Sequence, residues 1–140
     1  MIQRLQTLWL LFAAALAFTT LKISFFSGNI MVENTKQFQR FTAMNHMLLM
    51  ILTVVVGIGS LIAVFLYGNR KLQGKITAAL MVLANINLVF YYLQTNNFIP
   101  AEWSFDITAL VAFAIPFFLF LAMRGIFKDE KLIKSIDRLR

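Results

Sequence analysis

Four apolar runs separated by short charged stretches constrain this chain more than any other feature. They cover about residues 5–26, 45–67, 76–94 and 105–123. Each holds roughly 18 to 23 residues, and at about 1.5 Å of rise per residue a helix of that length crosses the hydrocarbon core of a bilayer. Helices are the economical reading, because a lone strand would leave backbone N–H and C=O groups unpaired in lipid. Composition agrees: the 140-residue chain is 60% apolar and 14% charged, too few polar residues to cover a soluble domain of that size. The expectation is an all-α integral membrane protein, one domain of four transmembrane helices in a bundle, followed by a cytoplasmic tail over 124–140 that forms a short amphipathic helix from Lys128 onward.

The positive charges orient the spans. Arg4 precedes the first run, Arg70, Lys71 and Lys75 separate the second and third, and Arg124, Lys128, Lys131, Lys134, Arg138 and Arg140 follow the fourth. These are ten of the thirteen Lys and Arg, and only Lys22, Lys36 and Arg40 fall on the other side. By the positive-inside rule both termini and the second connection are cytoplasmic. The acids divide evenly, so the net +7 of the chain belongs to its cytoplasmic face. That places the excess charge against anionic headgroups or a protein partner rather than nucleic acid. The first run also has the basic start and small residues of a cleaved signal peptide, but it continues past Ala17, and three remaining spans would put the ends on opposite sides. It is read as an uncleaved span. Trp9, Tyr67, Tyr91, Tyr92 and Trp103 read as interfacial aromatics.

Between the first two runs, "IMVENTKQFQRF" forms either a hairpin turning at Glu33 and Asn34 or a surface helix with Phe38 and Phe41 on one face. Periodicity in so short a stretch does not choose between them.

Asn85 and Asn87 lie mid-span, where an amide without a partner is costly. They line a polar pathway, or they hold the bundle together by interhelical hydrogen bonds, and the second use is preferred. Gly59 and Ala63 have the small-xxx-small spacing that lets helices approach closely, within one chain in preference to between copies in a homo-oligomer. Pro116 should kink the fourth helix. His46 alone, with no cysteine anywhere in the chain, is weak support for a metal site. Glu102 and Asp106 can pair with Lys36, Arg40 or His46 near the outer face. The loop "GNRKLQGKIT" imitates a P-loop but has five residues between its glycines and no Ser or Thr after Lys75. No catalytic residues, cofactor or metal are expected, and the chain is read as non-enzymatic.

The segment "KDEKLIKSIDRLR" is amphipathic: as a helix it gathers Leu132, Ile133, Ile136 and Leu139 on one face and its cations on another. It anchors the topology, lies on the anionic inner leaflet, or docks into a groove on a partner. Arg70, Lys71, Lys75, Lys128, Lys131, Lys134, Arg138 and Arg140 are the candidate contacts to lipid headgroups or to a membrane or cytoplasmic protein. On this basis the chain is an accessory or scaffold subunit, with a small transporter or channel using Asn85 and Asn87 as the alternative.

The segments "MIQRLQTLWLL", "YGNRKLQ" and "RGIFKDEKLIKSIDRLR" resemble a Bacteroidota family of small four-span membrane proteins classed as domain of unknown function 4293. The resemblance runs the whole length, with its specificity in those three cytoplasmic segments. It implies a multi-pass inner-membrane protein with both ends inside. The family has no established activity, so it contributes no functional residues.

Overall fold

The structure is a computed structural model that describes residues 2–137. Four helices account for most of it: α1 (Ile2–Thr19), α2 (Met47–Phe65), α3 (Arg70–Leu93) and α4 (Ala109–Asp137). Three strands, β1 (Phe26–Val32), β2 (Thr35–Phe41) and β3 (Trp103–Phe105), form a small antiparallel sheet in the order β2-β1-β3. α1 packs on α2 and α4, and α3 packs on the same two, so each helix has two neighbours. Within 47–68, 70–97 and 109–133 the helical segments are long and apolar enough to cross a membrane; α1 contributes a shorter apolar stretch, Leu5–Thr19.

The sheet corrects the all-α expectation, and its origin is local. Glu33 and Asn34 both have positive φ, 46° and 65°, between the paired residues Val32 and Thr35. That is a two-residue turn of the type whose twist matches a hairpin. Of the two readings of this loop, the hairpin is the one formed. β3 then adds to the free edge of β1, with Phe26 opposite both Phe41 and Phe105. Gly28 admits it: a Cβ there would lie 2.6 Å from the Cβ of Trp103. No side chain fits at that distance.

Two boundaries move with the sheet. α1 stops at Thr19 rather than running to Phe26, because the Thr19 and Thr20 hydroxyls donate to the Ala15 and Ala17 carbonyls, both at 2.7 Å, and close the last turn. Phe25 and Phe26, apolar enough to pass for the end of a span, instead enter an aromatic core beneath the sheet. Phe25 stacks on Tyr91 at 4.4 Å and Phe26 on Phe41 at 4.8 Å, with Phe98 edge-on to Phe26. Tyr91, expected at an interface, is thereby buried, whereas Tyr92 is exposed. At the fourth run, Phe105 belongs to β3 and the helix begins only at Ala109.

At the opposite end, α3 starts at Arg70, so most of the expected loop is helix. Asn69 caps it, its side chain accepting from the Leu72 N–H at 3.1 Å. The tail is not a separate helix either, since α4 passes through Pro116 and continues unbroken to Asp137. Gly125 does not interrupt it. A Cβ there would meet the Gln6 Cγ at 2.8 Å, so the glycine makes room for the Gln6 side chain of α1. Arg138 and Arg140 lie outside the described residues, as do the side chains of Arg4 and Lys134.

Between the two ends, a stripe of α4 faces its neighbours: Ala112, Ile115, Leu119, Ala122 and Ile126 are buried, three or four residues apart. Leu10, Ala13 and Ala17 of α1, Val56 and Ala63 of α2 and Leu80 and Ala84 of α3 complete that core. Small residues set the spacing. Gly59 takes the Leu80 side chain, whose Cδ2 would lie 2.5 Å from an added Cβ, and Ala63 is fully buried. Both therefore serve contacts within this chain.

Candidate functional site

The basic end of the molecule is built over a buried polar cluster to which all four helices contribute. Gln6 of α1 donates through Nε2 to the Asp129 carboxylate of α4 at 2.8 Å. Arg70 of α3 donates to the Gln6 side-chain oxygen at 3.0 Å and lies 4.0 Å from Asp129. Gln73, one turn along α3, faces Arg70 at 3.4 Å and donates to the backbone carbonyl of Ala63 on α2 at 2.8 Å. Gln6, Gln73 and Asp129 are buried. The Arg70 and Asp129 side chains are each 11% exposed, and so the pair is almost wholly withdrawn from water.

Side-chain amides bond both ions, Gln6 and Gln73 accepting from Arg70 and Gln6 donating to Asp129, which offsets part of the cost of burying the pair. Removing one member strands the other, so the cluster fixes how the helix ends are juxtaposed. It also changes the count of available cations. Arg70, a candidate contact in the sequence, has its guanidinium turned inward, whereas Lys71, Lys75, Lys128 and Lys131 are exposed, with Arg124 beside them. Leu132 and Ile133 are about half exposed on the last turns of α4, so an apolar stripe does accompany the basic residues.

Gln6, Gln73 and Asp129 escaped the sequence reading. Asp129 continues the spacing of the buried α4 stripe, three residues beyond Ile126, and this is the signal that could have found it. The two glutamines carry no comparable mark, because a glutamine at a helix end usually faces solvent.

Mid-bundle, the two asparagines separate. Asn85 is exposed on the outer side of α3, where its amide donates to the Met81 carbonyl of its own helix at 2.8 Å. Asn87 is buried and donates to Thr53 Oγ1 on α2 at 3.0 Å, which leaves its Oδ1 without a protein partner. Beside it is a cavity of about 10 Å³ walled in part by Thr20, Thr53 and Tyr91. That is the space of a single water. Of the polar groups around this space, the Asn87–Thr53 bond ties α3 to α2.

At the sheet end, Glu102 accepts from Lys36 of β2, with which it forms an ion pair, and from Asn29 of β1 at 3.1 Å. The Lys36 hydrogen bond, then that of Asn29, holds the Glu102 carboxyl below the ordinary glutamate value. Asp106 takes a different partner, the Ser27 hydroxyl at 2.8 Å, and its Oδ2 is covered and unpartnered. His46 is the N-cap residue of α2, with no hydrogen bond from its side chain and Nδ1 covered. Among the described residues no three His, Cys, Asp or Glu side chains gather as a metal site would require.

A family model described as Domain of unknown function (DUF4293) matches residues 2–139 of the chain. The chain belongs to that family. No curated protein and no solved structure matches it.

Proposed function

We propose that the chain is a four-span inner-membrane protein with both termini cytoplasmic, and that it works as a non-enzymatic accessory or scaffold subunit through its basic face. The observation that carries this reading is the seating of exposed cations on a locked platform. Lys71 and Lys75 on α3 and Lys128 and Lys131 on α4 stand around the Gln6–Arg70–Gln73–Asp129 cluster, which ties their helices together. A surface that only had to satisfy the positive-inside rule would need charge but no such rigidity. With Leu132 and Ile133 beside the cations, it offers the mixture of apolar anchor and positive rim that an acidic protein surface requires.

The same arrangement supports the topology. The basic end gathers the start of α1, the α2–α3 connection and the end of α4, and the sheet gathers the other two connections. α1, at about 27 Å, is slightly short for a 30 Å hydrocarbon core. It spans by local thinning, at a modest cost.

The test is gentle purification of the tagged protein from its native membrane, with mass spectrometry of what accompanies it. Charge reversal at Lys131 and Lys134 should release a stoichiometric protein partner. A partner retained by that variant, or none in the parent protein, would overturn the accessory role. The transporter alternative needs Asn85 and Asn87 on one path, and it is not pursued because Asn85 faces away from the bundle and Asn87 adjoins space for one water.

A further inference from the structure

Two clefts meet at Phe105, just below the sheet. One is an apolar groove of about 260 Å³ between α3 and α4, lined by Phe25, Leu88, Val89, Tyr92, Phe105 and Phe113. The other, about 420 Å³, opens on the far side of Phe105 and is mixed, with Ser27, Arg40, Asp106 and Thr108 in its walls beside Phe38 and Ile107. An apolar slot that shares the Phe105 wall with a pocket holding both charges, at the level where helices give way to the sheet, has the layout of an amphiphile site.

The charges specify the amphiphile. Arg40 is exposed and takes part in no ion pair among the described residues. Asp106 lines the same cleft without pairing to it: Oδ2 is covered, and Oδ1 accepts from Ser27. A carboxylate oxygen has two lone pairs, so a donor entering the cleft can share Oδ1 with Ser27. An ammonium N–H there makes a charge-assisted hydrogen bond. A phosphate alone would satisfy Arg40 while opposing Asp106. A quaternary ammonium has no N–H to give. A primary ammonium tethered to a phosphate meets both residues.

We propose that the joined clefts bind one phosphatidylethanolamine molecule, its phosphate on Arg40, its ammonium on Asp106 and one acyl chain in the groove past Phe105. The site rests on reading α3 and α4 as membrane-crossing helices, but it is independent of the accessory role, and lipid binding in detergent is measured with no partner present.

The experiment is native mass spectrometry of the full chain in a delipidating detergent. It is titrated separately with phosphatidylethanolamine, phosphatidylglycerol, phosphatidylcholine and the soluble headgroup glycerophosphoethanolamine. A single phosphatidylethanolamine adduct should form roughly tenfold more tightly than either other lipid, the factor one charge-assisted hydrogen bond supplies. Asp106→Asn should abolish that preference, Arg40→Gln should weaken all three lipids, and Phe113→Trp, which fills the groove from an exposed position, should weaken binding without changing the preference. Equal binding of the three lipids, a preference that survives Asp106→Asn, or headgroup binding as tight as that of the whole lipid would each overturn the proposal. Circular dichroism of each variant establishes that it is folded before its titration is read.

Discussion

The Gln6 amide donates to the Asp129 carboxylate at 2.8 Å, joining the first turns of α1 to the last turns of α4 across 123 positions of sequence. Arg70 bridges the same two side chains from α3. This contact decides which helix ends lie together at the basic end.

Removing Asp129 should therefore cost far more than removing an exposed acid. Asp129→Ala leaves the Arg70 guanidinium buried without its counter-ion, and we expect a loss of about 3–5 kcal/mol. Unfolding in graded detergent denaturant measures it. A double-mutant cycle with Gln6→Ala should show coupling, because the two residues share one network.

The two asparagines should behave in opposite ways despite their spacing. Asn87→Leu removes the bond to Thr53 and should destabilise by about 0.6 kcal/mol or somewhat more, the range of interhelical hydrogen bonds in membranes. Asn85→Leu replaces a side chain that bonds only its own helix and should be neutral or stabilising. Thermal unfolding of the two variants in one detergent compares them directly.

Gly28→Ala should disrupt the sheet. The added carbon would sit 2.6 Å from the Trp103 Cβ, so β3 must shift, at an overpacking cost of about 1–3 kcal/mol. Trp103 reports the change through its fluorescence when Trp9 is replaced by Phe.

The same fluorescence should reveal an acid transition. Lys36, with help from Asn29, lowers the Glu102 pKa in the folded chain. A depressed carboxylate pKa contributes stability above the unfolded value and loses it as pH falls through the folded one. The sheet should loosen between those two pH values, and Lys36→Met should shift the transition upward. A transition unmoved by Lys36→Met would show that Glu102 is not its source.

The sequence made the helical parts of this fold legible and misplaced what lies at their ends, for a physical reason. Hydropathy registers burial in lipid and burial in protein identically, so Phe25, Phe26 and Phe105, which fill the aromatic core or edge the sheet, were counted as membrane span. The hairpin was foreseen as one of two options because Glu33–Asn34 has turn chemistry of its own. β3 has only three residues and depends on the absence of a side chain at Gly28, a contact between distant segments that periodicity does not encode. The polar cluster failed in the same way: Arg70 was recognised as a cation, but its partners come from α1 and α4. The tail is helical through Asp137, as read, but its continuity with α4 was missed because charge marks where lipid ends, not where a helix does.

The central claim is that a basic platform faces the cytoplasm, opposite the sheet. The chain has no cysteine, so single substitutions report cleanly. Gln3→Cys, Asn34→Cys, Lys71→Cys and Lys131→Cys should be tested with an impermeant maleimide in sealed cells. The account predicts labelling of Asn34→Cys alone, the other three reacting only after the membrane is permeabilised. Labelling of Lys71→Cys or Lys131→Cys from outside would contradict it, and labelling of Gln3→Cys from outside would show that α1 does not cross.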